Sequence, residues 1–224
     1  TYKAKEAKEW ICLSTQIGSD EVGTGDFFGP ICVCASYVKE EDIEFLKELG
    51  VDDSKKLSDE EIREITPILI SKIDYSQLSV DNEKYNECIL KSMNMSEIKA
   101  KLHNQVLLNL KKKHPSCKNI FLDEFLSEEN YYEYLRDSKE ILTGITFRMK
   151  GESAYPSVAV GSIIARYSFL TKLDKLNEKY GVNIPHGASS KVDEFAKEFL
   201  DKYGIKELKK VVKINFANYK KITL

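Results

Sequence analysis

Residues 11–17 and 31–38 are short apolar runs rich in Ile, Val and Cys, and the segment GSDEVGTGDFFGP lies between them. Runs of that length and composition favour strands, and a glycine-rich stretch between them favours reversal, so a hairpin is expected. The constraint lies in its acids. Asp20 and Glu21 stand side by side where the first run ends, just ahead of Gly23, Gly25 and Gly29. A dinucleotide site, a phosphate loop or a metal-bound hydrolase could each produce such a string.

The first two readings fail on spacing. A dinucleotide fingerprint needs G-x-G-x-x-G leading from strand into helix, whereas GTGDFFG places its last glycine one residue too far and runs into another apolar strand. A phosphate loop needs Gly-Lys-Ser/Thr, which is absent. His103, His114 and His186 lack metal-pair spacing, and no serine occupies a nucleophile elbow.

Periodicity along the chain interleaves strands and helices. EEDIEFLKELG has helical spacing and stops at Gly50, and Ser58 followed by Glu61 is a capping box that starts a helix near Asp59. DYSQLSVD alternates as a strand, and residues 97–113 form a helix with Ile98, Leu102, Val106 and Leu110 on one face. NIFLDEF and LTGITFRMK read as further strands, and helices are expected at 159–180 and 189–203. This order predicts an α/β fold, a mixed central sheet flanked by helices with further C-terminal helices, in one domain over residues 1–224.

With 31% charged and 42% apolar residues among 224, the chain has the balance of a soluble globular domain. No apolar run approaches the roughly 20 residues that cross a bilayer, and TYKAKEAKEW does not resemble a signal peptide. The expectation is a cytoplasmic protein without membrane contact. Five cysteines without metal-ligand spacing are expected to be buried free thiols. A net charge of -2 announces no nucleic-acid binder, and the basic clusters at 110–114, 207–213 and 218–222 are expected to be solvated helix faces or tails.

Acids at strand ends remain to be explained. Asp20 and Glu21 close the first strand, Asp123 and Glu124 close IFLDEF, and Glu152 lies in FRMKGES. Neighbouring strand ends can bring such residues together, and partly buried carboxylates then repel one another unless a divalent cation intervenes. Oxygen-only ligands select Mg²⁺ or Mn²⁺, and a pair of such ions roughly 3.5–4 Å apart clamps a phosphodiester. Acids that merely cap unrelated turns are the alternative, and spacing alone leaves both open.

The motifs GSDEVGTGDFFGP, DDSKKLSDEEI, LHNQ, FLDEF, FRMKGESAYPSVAVGSIIARYSFL and KINFANYKKI occur here in the order seen in type 2 ribonucleases H. From about residue 11 to 222 the chain resembles their ribonuclease HIII branch. The resemblance implies a ribonuclease H-like fold and endonucleolytic cleavage of the RNA strand of RNA–DNA hybrids with Mg²⁺ or Mn²⁺, two ions per site, in DNA replication and repair. It implies no obligate protein partner and a monomer.

On this resemblance Asp20, Glu21, Asp123 and Glu152 match the metal-binding carboxylates, with glutamate at the last position typical of the HIII branch. Asp26, Asp53 and Glu124 do not align with the quartet and are expected to be local turn or supporting residues. Gly23, Thr24 and Gly25 match a substrate-facing turn, where backbone without Cβ can approach a sugar–phosphate chain. Ser54, Lys55 and Lys56 match a loop associated with phosphate contacts. Lys150 and Arg166, flanking the fourth carboxylate, are further candidates for holding the substrate, with purely structural ion pairs as the alternative.

The HII branch recognises single ribonucleotides with a G-R-G turn and a tyrosine in H-K-G-Y-P. Here the turn is Gly23-Thr24-Gly25, and Ala188 of IPHGASS stands where the tyrosine would fall. A preference for runs of RNA is therefore expected, with an HII-type enzyme that also cuts at single ribonucleotides as the alternative. A module that binds hybrids without cutting them is a weaker one. HIII-branch members usually carry an N-terminal substrate-binding domain, for which this chain has no room before residue 20. Weaker hybrid affinity than in a two-domain relative is the corresponding expectation.

Overall fold

The computed structural model describes residues 9–224, apart from the side chain of Asp53. Five strands form one mixed sheet in the order β3-β2-β1-β4-β5. They are β1 (Gln16–Val22), β2 (Ile31–Val38), β3 (Asp74–Val80), β4 (Asn119–Asp123) and β5 (Thr146–Arg148). β1 and β2 pair as the expected hairpin, β2 and β3 are also antiparallel, and β1, β4 and β5 run parallel.

The helices are α1 (Ile43–Glu48), α2 (Asp59–Lys72), α3 (Asn82–Leu90), α4 (Met95–Lys113), α5 (Glu128–Leu135), α6 (Pro156–Tyr180), α7 (Ser190–Leu208) and α8 (Ala217–Thr223). The Ser58–Glu61 capping box starts α2 as expected. α3 and α5 were not legible as separate helices. Each is eight or nine residues long and is nucleated by a side-chain cap, Asp81 on the Lys84 N–H and Ser127 on the Asn130 N–H. Among the described residues no helix is long and apolar enough to cross a membrane.

β2 shows why its sequence is largely apolar. Ile31, Val33 and Ala35 pack into a core with α4 and α5, while Cys32, Cys34 and Val38 pack into another with α2, α6 and α7. The sheet is thus covered on both faces, and β2, paired on both edges, packs against a core on each side. α6 lies closest. An added Cβ at Gly161 would stand 2.7 Å from the Cys34 carbonyl oxygen, and one at Gly18 would stand 2.3 Å from Ser157 Oγ. Glycine at both positions lets helix and sheet backbones approach directly.

Three expectations are corrected. The first strand begins at Gln16 rather than residue 11, because Gln16 pairs with Val38 and β2 ends there. Ile11 and Leu13, without a strand partner, are exposed. The basic cluster at 207–213 is not wholly solvated, since Lys213 is fully buried. Its Nζ donates to the carbonyls of Asp26 (2.5 Å) and Gly29 (2.7 Å), and burial lowers its pKa to about 7. The C-terminal segment thereby clamps the hairpin turn, helped by the Gly29 N–H on the Val211 carbonyl. All five cysteines are free; Cys12 and Cys88 are half-buried rather than buried.

Gly161→Ala should reverse the usual helix rule. Alanine is the better helix former by about 1 kcal/mol, but overpacking against β2 should cost about 1–3 kcal/mol. Denaturant unfolding of the two proteins measures the sign.

Candidate active site

The parallel pairing of β1 with β4 places the acids. Ser19 sits opposite Leu122, so Asp20 and Asp123 follow as neighbours at the ends of adjacent strands. Side chains alternate along a strand. Gly18 and Phe121 lie against Val158 at the start of α6, and two residues on, Asp20 and Asp123 occupy that same face. The third acid arrives from β5. After Arg148 the chain turns through Lys150, in the left-handed region at φ 57°, into a short helical turn at Gly151–Ser153 that carries Glu152.

Asp20, Asp123 and Glu152 each offer a carboxylate oxygen, all within 4.8 Å of one another. Burial foremost, then the charges of Glu21, Asp123 and Glu152, pushes the Asp20 carboxyl well above its ordinary pKa. Asp123 is raised to about 6, chiefly by burial, although the Gly151 N–H donates to its Oδ1 at 2.6 Å and opposes the shift. Together with Glu152, these two crowded carboxylates form a donor set of hard oxygens. It fits Mg²⁺ or Mn²⁺ on chemistry and on geometry.

Glu21 is placed differently. Alternation turns it to the opposite face, where Lys99 Nζ meets Oε1 at 2.8 Å and His103 Nε2 meets Oε2 at 2.7 Å. Burial alone would raise its pKa, but the hydrogen bond and charge of His103 and the Lys99 ion pair hold it below the ordinary value. It still lines the same cleft, so the sequence quartet becomes three converging carboxylates and one tethered beside them.

The cleft measures about 340 Å³ and is lined by all four acids, Thr24, Ser54, Lys55 and Arg166, with Ile62, Ser162 and Ile163. Lys55 Nζ lies 2.5 Å from Glu152 Oε1. Arg166 is committed to the wall, donating to Asp59 Oδ1 through Nε (3.1 Å) and Nη2 (2.5 Å) and to the Leu57 carbonyl (2.8 Å). Lys56 and Lys150 are outside this lining. Asp26 accepts from the Gly187 N–H at 2.7 Å, tying the glycine turn to the loop that carries exposed Ala188. The Asp53 side chain lies outside the described residues.

The two turn glycines differ. Gly23 has φ 106°, and a Cβ there would stand 2.1 Å from the Pro30 carbonyl oxygen, so the hairpin itself requires glycine. Gly25 is exposed and a Cβ would meet nothing within 4 Å. The fold gives no reason for it. The sequence reading missed Lys99, His103 and Ser162. LHNQ pointed to His103, and four-residue spacing put Lys99 with it on one helix face, but neither signal names a partner.

The carboxylates set a pH dependence. Asp20 and Asp123 have folded-state pKa values above their ordinary ones, so their contribution favours the fold below about pH 4 and is lost as pH rises through about 6. Metal-free protein should therefore lose stability across that window. At pH 8, Mn²⁺ at about a hundred times its Kd should restore about 2.7 kcal/mol, a Tm rise of about 5–10 °C for a chain of this size. Thermal melts of the protein and of Asp123→Asn check this, with both effects diminished in the variant.

Comparison with known proteins agrees with this geometry. A family model described as Ribonuclease HII matches residues 17–219. The chain is 47% identical to Ribonuclease HIII of Phytoplasma mali over 205 residues, 92% of this chain and 71% of that protein. It is 45% identical to Ribonuclease HIII of Bacillus cereus over 208 residues, 92% of this chain and 67% of that one. The crystal structure of Bst-RNase HIII in complex with Mn²⁺ superposes with a TM-score of 0.90 at 38% identity, covering 99% of this chain and 73% of that chain. The ribonuclease H2 of Pyrococcus horikoshii shares the fold, with a TM-score of 0.75 at 24% identity. Fold, acidic centre and relatives together place the chain in the ribonuclease HII family of metal-dependent endoribonucleases, in its ribonuclease HIII branch.

Proposed function

We propose that this chain cleaves the RNA strand of RNA–DNA hybrids endonucleolytically at the cleft between β1, β4 and α6. The convergence of Asp20, Asp123 and Glu152 within 4.8 Å carries the reading, because partly buried acids so close together make chemical sense around a divalent cation. Bound there, Mg²⁺ or Mn²⁺ would supply activation of water and stabilisation of the departing 3′-oxygen, leaving 5′-phosphate and 3′-hydroxyl ends. Two ions fit a site with a fourth carboxylate, Glu21, beside the three.

The chain's own groups bind and orient. Asp20, Asp123 and Glu152 hold the cation, and the Gly151 N–H keeps Asp123 pointed into the cleft. Lys55, half-exposed at the mouth, can move from Glu152 to a phosphate once the carboxylate charge is otherwise matched. Ser54, Lys56 and Lys150 serve as further phosphate contacts at the rim. Arg166 shapes the wall through Asp59. Gly23 fixes the hairpin turn so that Thr24 lines the cleft and the bare backbone of Gly25 can reach a ribose 2′-hydroxyl in the shallow minor groove.

The same reading takes residues 1–224 as one catalytic domain acting as a cytoplasmic monomer, without an obligate protein partner, on hybrids arising in DNA replication and repair. The binding-only alternative is disfavoured, since unmatched carboxylates would repel phosphate.

Asp20→Asn and Asp123→Asn should each abolish cleavage of a labelled hybrid while sparing or improving hybrid binding. Retained cleavage in both would refute the assignment. Given Ala188 at the tyrosine position, a continuous hybrid should be cut in Mg²⁺ or Mn²⁺ and a DNA duplex with one ribonucleotide should not. Comparable cutting of both would favour HII-type recognition.

A further inference from the structure

The motif KINFANYKKI contributes no residue to the cleft lining, yet its first half packs against the turn that does. Three carbonyls of the connection between β1 and β2 converge on Lys213. Its backbone N–H donates to the Phe27 carbonyl at 2.9 Å, and its Nζ donates to those of Asp26 and Gly29. Asn82 of α3 shares the Gly29 carbonyl at 2.8 Å, and the Phe216 ring stacks on Phe27 with centroids 6.1 Å apart. Further on, Asn218 Nδ2 donates to the Ala188 carbonyl at 2.9 Å and to Asp193 Oδ1 at 2.6 Å. One segment thus holds both the connection behind the Gly23–Gly25 turn and the loop of Gly187 and Ala188. α3 fixes that segment in turn. Asn86 donates to the Lys209 and Val212 carbonyls and accepts from the Ile214 N–H, and the Tyr85 hydroxyl donates to Asn215 Oδ1.

Burying an ammonium group costs more than burying an apolar side chain of the same length, so packing alone does not account for Lys213. What the lysine adds is fixed geometry, because its donors tie together carbonyls on either side of Phe27 and Phe28. The turn ahead is loosely held by comparison. Gly25 is exposed, and the Asp26 N–H reaches back to the Gly23 carbonyl at a long 3.3 Å. We propose that Lys213 and Asn218 are positioning residues for the substrate, a brace that sets the spacing between the Gly23–Gly25 turn and the Gly187–Ala188 loop and thereby the affinity for a hybrid. The inference rests on the proposed cleavage of hybrids at this cleft. At 0% and 4% exposure, neither side chain can itself touch nucleic acid. The acids are carried by β1, β4 and the turn after β5, so a slack brace should leave them in place while misplacing the backbone that meets the ribose.

The test is steady-state cleavage of a labelled continuous hybrid by the whole chain, with a thermal melt of each protein alongside. Lys213→Met keeps the length of the side chain and removes its donors. It should raise KM about tenfold with kcat within about threefold of wild type, the pattern of lost binding rather than lost chemistry. Asn218→Leu should move KM in the same direction and carries the test if Lys213→Met does not fold. Leu110→Ala, in the core on the other face of the sheet, is the control for lost stability. It should lower Tm and leave KM unchanged. A fall in kcat with KM unmoved, or an equal rise of KM in Leu110→Ala, would overturn the proposal. Wild type that cuts no hybrid would refute the reading of function on which it rests. Active wild type with KM unmoved in both Lys213→Met and Asn218→Leu would refute the brace alone.

Discussion

The parallel pairing of β1 with β4 is the contact on which the site depends. Antiparallel neighbours would put the end of one strand beside the start of the other. Parallel ones bring both C-terminal ends to one edge, and the Ser19–Leu122 register sets Asp20 beside Asp123. A parallel pair needs a long crossover, and everything from β2 through α4 supplies it. The first two acids are thus about a hundred residues apart in sequence and adjacent in space because of one ladder. Glu152 then needs only the short parallel β5 and the left-handed turn at Lys150 to reach them.

The same strand delivers two carboxylates to opposite electrostatic fates. The Asp20 and Glu21 side chains are both largely enclosed, but Asp20 faces other acids and its pKa rises, while Glu21 faces Lys99 and His103 and its pKa falls. Burial is the largest influence on each and pushes both the same way. The charges opposite decide the sign for Glu21. Period-two alternation, one of the simplest properties of a strand, thereby separates a site that is short of positive charge from one already matched.

Around this edge the packing is arranged to fix backbone rather than side chains. Gly18 and Gly161 let α6 rest on the sheet, which places Ser162, Ile163 and Arg166 along the cleft. Lys213 reaches from the C-terminal segment to carbonyls of the hairpin turn, and Asp26 ties that turn to the loop of Gly187 and Ala188. The glycine turn read from sequence as substrate-facing is thus joined to the Gly187–Ala188 loop through the Asp26 carboxylate, so a change in either would be felt by the other.

Local sequence was sufficient for much of this. The apolar runs, the Ser58–Glu61 box and the 3.6-residue spacing of α4 follow from short-range chemistry, and the acid-bearing motifs singled out Asp20, Glu21, Asp123 and Glu152 as candidates by resemblance. Gly23 could be suspected from its place in a turn. What only the tertiary structure decided is long-range. The start of β1 depends on where β2 stops, and the solvation of Lys213 depends on carbonyls 184 and 187 residues away. The separation of Glu21 from the other acids depends on which helix covers each face of the sheet. A sequence shows that two carboxylates are adjacent, but their charge states are set by groups that the fold brings from far along the chain.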